Sequence, residues 1–218
     1  AQVNQQVAYG LRARAYLAMG EYAKAAEDAE KAMQGFTPAS IADVSVPGFD
    51  DIEAGNWIWG IDITDAQVSS SGYATSASWA SSFSGDGYAA ACGVNMCINN
   101  LLYDKIPATD VRKGWWLDEN LHSPNWANLT WGGAKGDEIA SLILDDGSKV
   151  GFPAYTNIKF GMKSGIGSTL NNNDWPLMRV EEMILIQAEG LAKSGNEAKA
   201  KQVLEDFVKT YRDPSYSV

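Results

Sequence analysis

One histidine, His122, and two cysteines, Cys92 and Cys97, are all that this 218-residue sequence holds of the residues most used to bind transition metals. A lone imidazole leaves little from which to build a two-His metal site or a His-dependent triad. Neither an HExxH helix nor a P-loop is present, and Gly165-Ile166-Gly167 is too short for a nucleotide loop. Cys92 and Cys97 are separated by four intervening residues with no companion Cys or His nearby, which argues against structural zinc. A local disulfide stays open, given an oxidising compartment and a chain that leaves helical geometry at Gly93.

Runs of Lys and Arg are also missing, and the formal net charge is -10. The sequence therefore lacks the electrostatic footprint for a phosphate backbone, and no nucleic-acid partner is expected. No apolar stretch approaches the roughly 20 residues that span a bilayer, and no basic n-region leads into an apolar h-region at Ala1. The chain as it stands is expected to be soluble. Its first residues, Ala1 to Val7, read as the inside of a helix without a Met or a cap, which predicts a start cut from something longer.

What the sequence does contain is an ordinary globular balance, 45% apolar and 20% charged, with a surplus of large rings: eight Trp and nine Tyr. Together with many Asn, Ser and Gly they suit recognition of polar ligands through flat apolar faces, although most rings are expected in the core.

Val3, Val7, Leu11 and Ala15 recur at four-residue spacing, and after Gly20 a second stripe holds Ala25, Ala26, Ala29, Ala32 and Met33. This predicts a helical hairpin closed before Pro38. Near the other end, Leu177, Ile184, Ala188 and Leu191 mark one helix, and Ala200, Val203, Leu204, Phe207, Val208 and Tyr211 mark another. Laying Gly195 on Gly20 aligns Ala188 with Ala13, Ala198 with Ala23, Lys199 with Lys24 and Ala200 with Ala25, so the hairpins read as copies of one unit. Small residues at these positions suit the close helix approach of a tetratricopeptide repeat. Solenoid repeats stack directly and usually number about three or more, so either the intervening chain folds back or repeats are missing.

Between the hairpins the character changes. Asn56 to Ile63 predicts one strand, with Trp57, Trp59, Ile61 and Ile63 on one side. Residues 66–91, rich in Ser, Gly, Ala and Tyr, predict a surface loop region. Asn95 to Asp104 predicts a helix, after which Asp110 is placed to cap a further short element. The adjacent Trp115 and Trp116 predict one ring in and one ring out. The fold class is therefore mainly α: tetratricopeptide-like helical hairpins over 1–38 and 177–218, with a long loop-rich insertion over 39–176 containing a few short strands, all in one domain.

Three stretches, in this order and spacing, resemble the SusD/RagB family of Bacteroidetes surface lipoproteins. They are the hairpin from Ala13 to Met33, the segment Leu102 to Lys113, and the run Asn173 to Glu189 with its Asp174, Pro176, Met178-Arg179 and Ala188-Glu189. The resemblance implies a scaffold of helical hairpins holding an irregular ligand-presenting region, at the cell-surface side of the outer membrane. It also implies non-enzymatic capture of oligosaccharide or peptide nutrients for a SusC-like TonB-dependent transporter. Members of the family are usually about twice this length, which makes the chain an internal fragment, and the family's lipid-anchor Cys is absent here. The motif residues read as scaffold: Asp174 as a helix cap, Arg179 with Glu182 as a surface pair, and Asp110 with Arg112 as a loop clamp.

A sugar site needs an aromatic face for the C–H side of the ring and amides or carboxylates around it for the hydroxyls. The stretch His122 to Gly133 supplies Trp126 and Trp131 with Asn125 and Asn128, and a second candidate pairs Tyr73 with Trp79. These six are the candidate ligand-binding residues; no catalytic residue, metal or cofactor is expected. Two rivals are a glycoside hydrolase drawing a carboxylate pair from Asp50, Asp51, Glu53, Asp145 and Asp146, and a plain repeat scaffold gripping a peptide. Adjacent acids in Gly-containing loops are more often solvated turns. A calcium site near residues 171–174 or 145–147 would have oxygen ligands but lacks EF-hand spacing.

Overall fold

The structure, a computed structural model, describes residues 3–69, 96–125, 130–131, 134–135, 153–161, 163 and 172–217. Two compact units emerge. One takes Ala1–Ser40, Ile52–Ile61 and Pro176–Val218; the other takes Ile41–Asp51 and Asp62–Trp175.

In the first unit, α1 (Gln5–Ala18) begins at Asn4, whose side-chain oxygen accepts from Val7 N–H at 2.9 Å. The start predicted to be uncapped helix is thus a capped one: Asn4 leaves helical geometry and satisfies a donor that the first turn cannot. Helix α2 (Tyr22–Ala32) returns after Gly20, whose φ of 78° is the left-handed conformation that favours glycine. The second hairpin joins α6 (Val180–Lys193) to α7 (Glu197–Tyr211), turning at Gly195 with φ 88°.

Helix α6 packs on the first hairpin, and small residues set how closely. A Cβ on Gly190 would lie 2.6 Å from the carbonyl oxygen of Tyr22 and 3.0 Å from Ala26 Cβ. The shared core holds Val7, Ala13, Ala25, Ala29, Ala32, Met178, Val180, Met183, Phe207 and Val208, which combines the Ala stripe of one hairpin with the bulkier residues of the other. Charge is buried there too. Asp28, 3% exposed, accepts a two-pronged bond from Arg12 at 2.5 and 2.9 Å. Bonding to the guanidinium, against the opposing cost of burial, lowers the Asp28 pKa. A carboxyl depressed in the fold stabilises it above its unfolded pKa and loses that contribution as pH falls through the folded value. Asp28→Asn is therefore expected to lower Tm at pH 7, with the gap from the parent narrowing steadily as melts are repeated down to pH 3.

A two-stranded sheet pairs β1 (Trp57–Ile61) with β4 (Trp175–Arg179). The predicted strand forms over Trp57–Ile61, with buried residues on both of its faces. Trp57 and Ile58 are both 5% exposed, on opposite faces of β1, because this strand is covered on both sides. Leu177, expected in a helix, lies in β4, and α6 starts only at Val180.

The second unit has few regular elements: α3 (Ile41–Val44), α4 (Asp65–Ser69), α5 (Asn100–Lys105), a 3₁₀ turn (Val111–Trp115), and a short antiparallel pair, β2 (Thr130–Trp131) with β3 (Ala134–Lys135). Helix α5 is shorter than predicted, starting after Asn99, whose side chain accepts from Leu101 N–H. Asp110 caps the 3₁₀ turn as expected, accepting from Arg112 N–H at 2.9 Å and from the Arg112 guanidinium. Segment 155–161 is the spine of this unit. Leu117 N–H donates to Thr156 O, Ile158 N–H to Trp115 O, Asn157 N–H to Met96 O, and Gly48 N–H to Lys159 O. Leu117 and Thr156, each 0% exposed, sit at its centre.

Candidate functional site

The spine of the second unit carries rings on its length. Phe49, held at a left-handed φ of 63°, meets Trp115 and Phe160 edge-on, with centroids 6.3 and 5.8 Å apart. The Lys159 ammonium lies 4.4 Å from the Trp115 ring and 4.5 Å from Phe49, and Trp115 Nε1 donates to Val44 O at 2.8 Å. This cluster is filled by the protein's own lysine and braces the loops. Trp115 and Trp116 are both half-buried, so the expected division into one buried and one exposed ring does not occur.

At the start of the spine the arrangement is open to solvent. Tyr155, at φ 67°, and Tyr103 of α5 meet at 5.4 Å with an interplanar angle of 63°. The Lys113 ammonium lies 4.8 Å from the Tyr103 ring and donates to Ile106 O. Leu101 (67% exposed), Leu102 (55%) and Met96 (45%) stand on the neighbouring surface. Carboxylates surround the phenols. Burial, then Asp118, pushes the Tyr103 pKa up, and Tyr155 is raised by desolvation, then by Glu119 and Asp104. Both hydroxyls therefore stay protonated at neutral pH and can donate as well as accept. Asp118 is fixed in a turn, accepting from Asn120 N–H and His122 N–H at 2.8 Å each. The result is an edge-to-face tyrosine pair under the influence of nearby carboxylate charge, with the Lys113 ammonium over the Tyr103 ring.

Among the residues singled out for ligand contact, Asn125 is buried (8% exposed), and its amide nitrogen donates to Val44 O at 3.3 Å and Val111 O at 3.2 Å. It packs against Gly114, where a Cβ would run into the Asn125 amide. Asn125 thus anchors the start of the Trp-rich stretch. Trp131 lies in β2, paired with Ala134. Trp126, Asn128, Tyr73 and Trp79 lie outside the described residues, as do Asp145 and Asp146. Tyr103 and Tyr155 were not singled out in the sequence. Tyr103 sits inside a stretch that reads as scaffold, and the left-handed turn that aims Tyr155 leaves no mark in composition.

Asp174 does not cap α6. It is 0% exposed and accepts from Ile63 N–H at 2.8 Å and from the Lys163 ammonium at 2.9 Å, within the second unit. Nor do Arg179 and Glu182 pair: Arg179 lies 3.8 Å from Glu181, and Glu182 takes a two-pronged bond from Arg14 at 2.6 Å. The fold brings Arg14 to Glu182 in a two-pronged, charge-assisted bond that the single local contact from Arg179 does not match. Asp50 has its pKa raised by burial. Cys97 is an exposed free cysteine with Sγ 3.8 Å from Thr156 Oγ1. Among the described residues no group of three or more His, Cys, Asp or Glu could hold a metal ion, and no helix is long and apolar enough to cross a membrane.

No protein-family model matches the chain, and no curated protein matches it. Solved structures do. A SusD-like carbohydrate binding protein from Bacteroides vulgatus superposes with TM-score 0.67 at 21% identity, over 100% of this chain and 38% of that one. A SusD superfamily protein from Bacteroides thetaiotaomicron gives 0.66 at 20%, over 98% and 42%. One from Parabacteroides distasonis gives 0.59 at 12%, over 95% and 44%. The chain has the mainly α fold of SusD-like proteins and spans less than half the length of each of these structures.

Proposed function

We propose that this chain is the glycan-holding part of a non-enzymatic capture protein at the outer cell surface, which passes oligosaccharides to a SusC-like TonB-dependent transporter. The observation that carries the reading is the Tyr103–Tyr155 pair. The half-buried, edge-to-face rings would give apolar surface to the C–H side of a sugar, with Lys113 over Tyr103 as a donor and Asp104, Asp118 and Glu119, whose charges reach the phenols, as acceptors. The fold shared with a SusD-like carbohydrate binding protein supports it. Trp126, Asn128, Trp131, Tyr73 and Trp79 are proposed from the sequence as further contacts to a chain-like ligand. The ligand is held and released unchanged, and membrane attachment comes from a lipid anchor outside these residues.

Hydroxyl hydrogen bonds largely replace those made to water, so stacking area decides the affinity and several weak contacts must add. The nearby carboxylate charge also sets the sugar class: neutral glycans are favoured, because uronates and sulfated sugars meet like charge. In calorimetric titration against neutral and acidic oligosaccharides and peptides, saturable binding to a neutral glycan is expected without product. Tyr103→Ala and Tyr155→Ala should each weaken it about tenfold, the equivalent of about 1.4 kcal/mol. Trp126→Ala and Trp131→Ala belong in the same series. Tyrosine variants that bind as the parent does would remove the pair from the site, and cleavage of any sugar would overturn capture without chemistry.

A further inference from the structure

Lys113 reaches back across the connection between two short elements. The chain leaves α5 (Asn100–Lys105) through Pro107, Asp110 N–H donates to Pro107 O at 3.1 Å, and the 3₁₀ turn (Val111–Trp115) follows. From that turn the Lys113 ammonium donates to Ile106 O at 3.0 Å, just past the end of α5, and lies 4.8 Å from the centre of the Tyr103 ring. Among the described residues no carboxylate pairs with it. One carbonyl and one ring are few contacts for a side chain with this much rotamer freedom, so the backbone from which it springs must supply the rest of the restraint.

Three buried side chains, of Asp110, Ser123 and Asn125, hold that backbone. Asp110 accepts from Arg112 N–H at 2.9 Å on one side of Lys113, and the Ser123 hydroxyl donates to Gly114 O at 2.6 Å on the other. Asn125 closes the turn. Its amide nitrogen donates to Val111 O at 3.2 Å and to Val44 O at 3.3 Å, and the amide lies so near Gly114 that a Cβ there would displace it. With both N–H groups on carbonyls, the amide nitrogen has no donor left for a ligand. The other long side chains of the turn are engaged elsewhere, Arg112 with Asp110 and Trp115 with Val44 O and Lys159. Lys113 is the side chain of the turn that meets the tyrosine pair.

We propose, on the reading of the Tyr103–Tyr155 pair as a glycan site, that Asn125 is its positioning residue: by fixing the turn it holds the Lys113 ammonium at the Tyr103 ring, and so sets ligand affinity without touching the ligand. The amide acts through two steps, the backbone at Val111 and Gly114 and then the lysine between them. A residue that only held the fold would lower stability and leave Lys113 where the surviving fold puts it. A positioning residue is instead coupled to Lys113, so that removing either one takes away what the other contributes to binding.

The test has a ligand-free arm and a ligand arm, both on the whole chain. In NMR spectra the Lys113 ε-methylene protons, next to an aromatic face, should resonate upfield of the ordinary lysine position, and Tyr103→Leu should return them to it. Asn125→Ala should return them too, while the amide protons of Leu117 and Ile158 stay protected from exchange and so show the spine intact. Ser123→Ala removes one bond to the same turn; it is the milder variant should Asn125→Ala not fold, and should shift them part of the way. Calorimetry with neutral hexasaccharides of glucose, mannose and xylose then reads the coupling. Lys113→Met and Asn125→Ala should each weaken binding about threefold to tenfold, as loss of one hydrogen bond does, and the double variant no more than either. Losses that multiply in the double variant, a Lys113→Met chain that binds as the parent does, or Lys113 protons unmoved by Asn125→Ala and Ser123→Ala would each overturn the positioning role. A parent that binds none of the three sugars overturns the glycan reading, a failure told apart from the others because the spectra need no ligand.

Discussion

Glu181→Ala should cost about 3–5 kcal/mol, because it leaves a buried guanidinium without its counter-charge. Glu181 is 5% exposed and gathers three donors: Ala39 N–H at 3.0 Å, Asn56 Nδ2 at 2.9 Å, and Arg212 Nη2 at 3.3 Å. Arg212, 3% exposed, also donates to Ala39 O and Tyr211 O. One carboxylate thus ties the end of the second hairpin to the chain leaving the first and to the residue before β1. Removing it strands the Ala39 and Asn56 donors as well as the charge, and each unsatisfied buried group adds its own desolvation penalty. For a chain of this size the loss corresponds to about 10 °C or more in Tm. Glu181→Gln, which keeps an acceptor and loses the charge, should fall between parent and alanine. Glu189, whose bond to Lys193 is 2.5 Å long but lies on the surface, is the control. Glu189→Ala should leave the melt unchanged, because exposed pairs gain little in high dielectric. Equal losses at the two positions would mean that burial is not what gives Glu181 its weight.

The helical hairpins were legible in the sequence because their signals are local. The Gly20 and Gly195 turns, the Ala stripe of α2 and the amphipathic period of α7 each set their structure within a few residues, and the alignment of the two glycines gives the structural register without a shift. The motif charges were legible only as present. Asp174, Arg179 and Glu182 lie near one another in sequence, which invites local pairing, yet their partners are Lys163, Glu181 and Arg14, and the last is 168 residues away. The second unit was least legible. Its spine, 155–161, bonds to 48, 96–98 and 115–117 through single bridges rather than a ladder, so no long period marks it. The candidate site inherits this. Its two tyrosines come from a short helix and from a left-handed turn more than fifty residues later, and only the fold brings them within 5.4 Å. The fold also makes Asn125 a brace: read from its neighbours Trp126 and Asn128 it was a ligand group, whereas its burial and two carbonyl partners assign it to the framework.

Gly190→Ala tests whether close helix approach holds the first unit together, because two opposing effects of known sign meet at one atom. In a helix interior, replacing Gly by Ala ordinarily gains up to about 1 kcal/mol from backbone entropy. Here the new methyl would lie 2.6 Å from the Tyr22 carbonyl oxygen and 3.0 Å from Ala26 Cβ, and neither can swing aside as a long side chain can. The hairpins must separate, which loses dispersion contacts along the Ala stripe. Overpacking of this kind costs about 1–3 kcal/mol, more than the propensity gain, and Gly190→Val should cost more again. Gly10→Ala is the informative companion. Its methyl would also collide, but with the thioether end of Met178, a flexible group that can re-pack, so the loss should be smaller. Gly20→Ala meets nothing within 4 Å and is strained only through its φ of 78°, which makes it a control for backbone strain without crowding. Denaturant melts of the three variants should rank Gly190→Ala as less stable than Gly10→Ala. A stabilised Gly190→Ala would show that the helices yield at this contact.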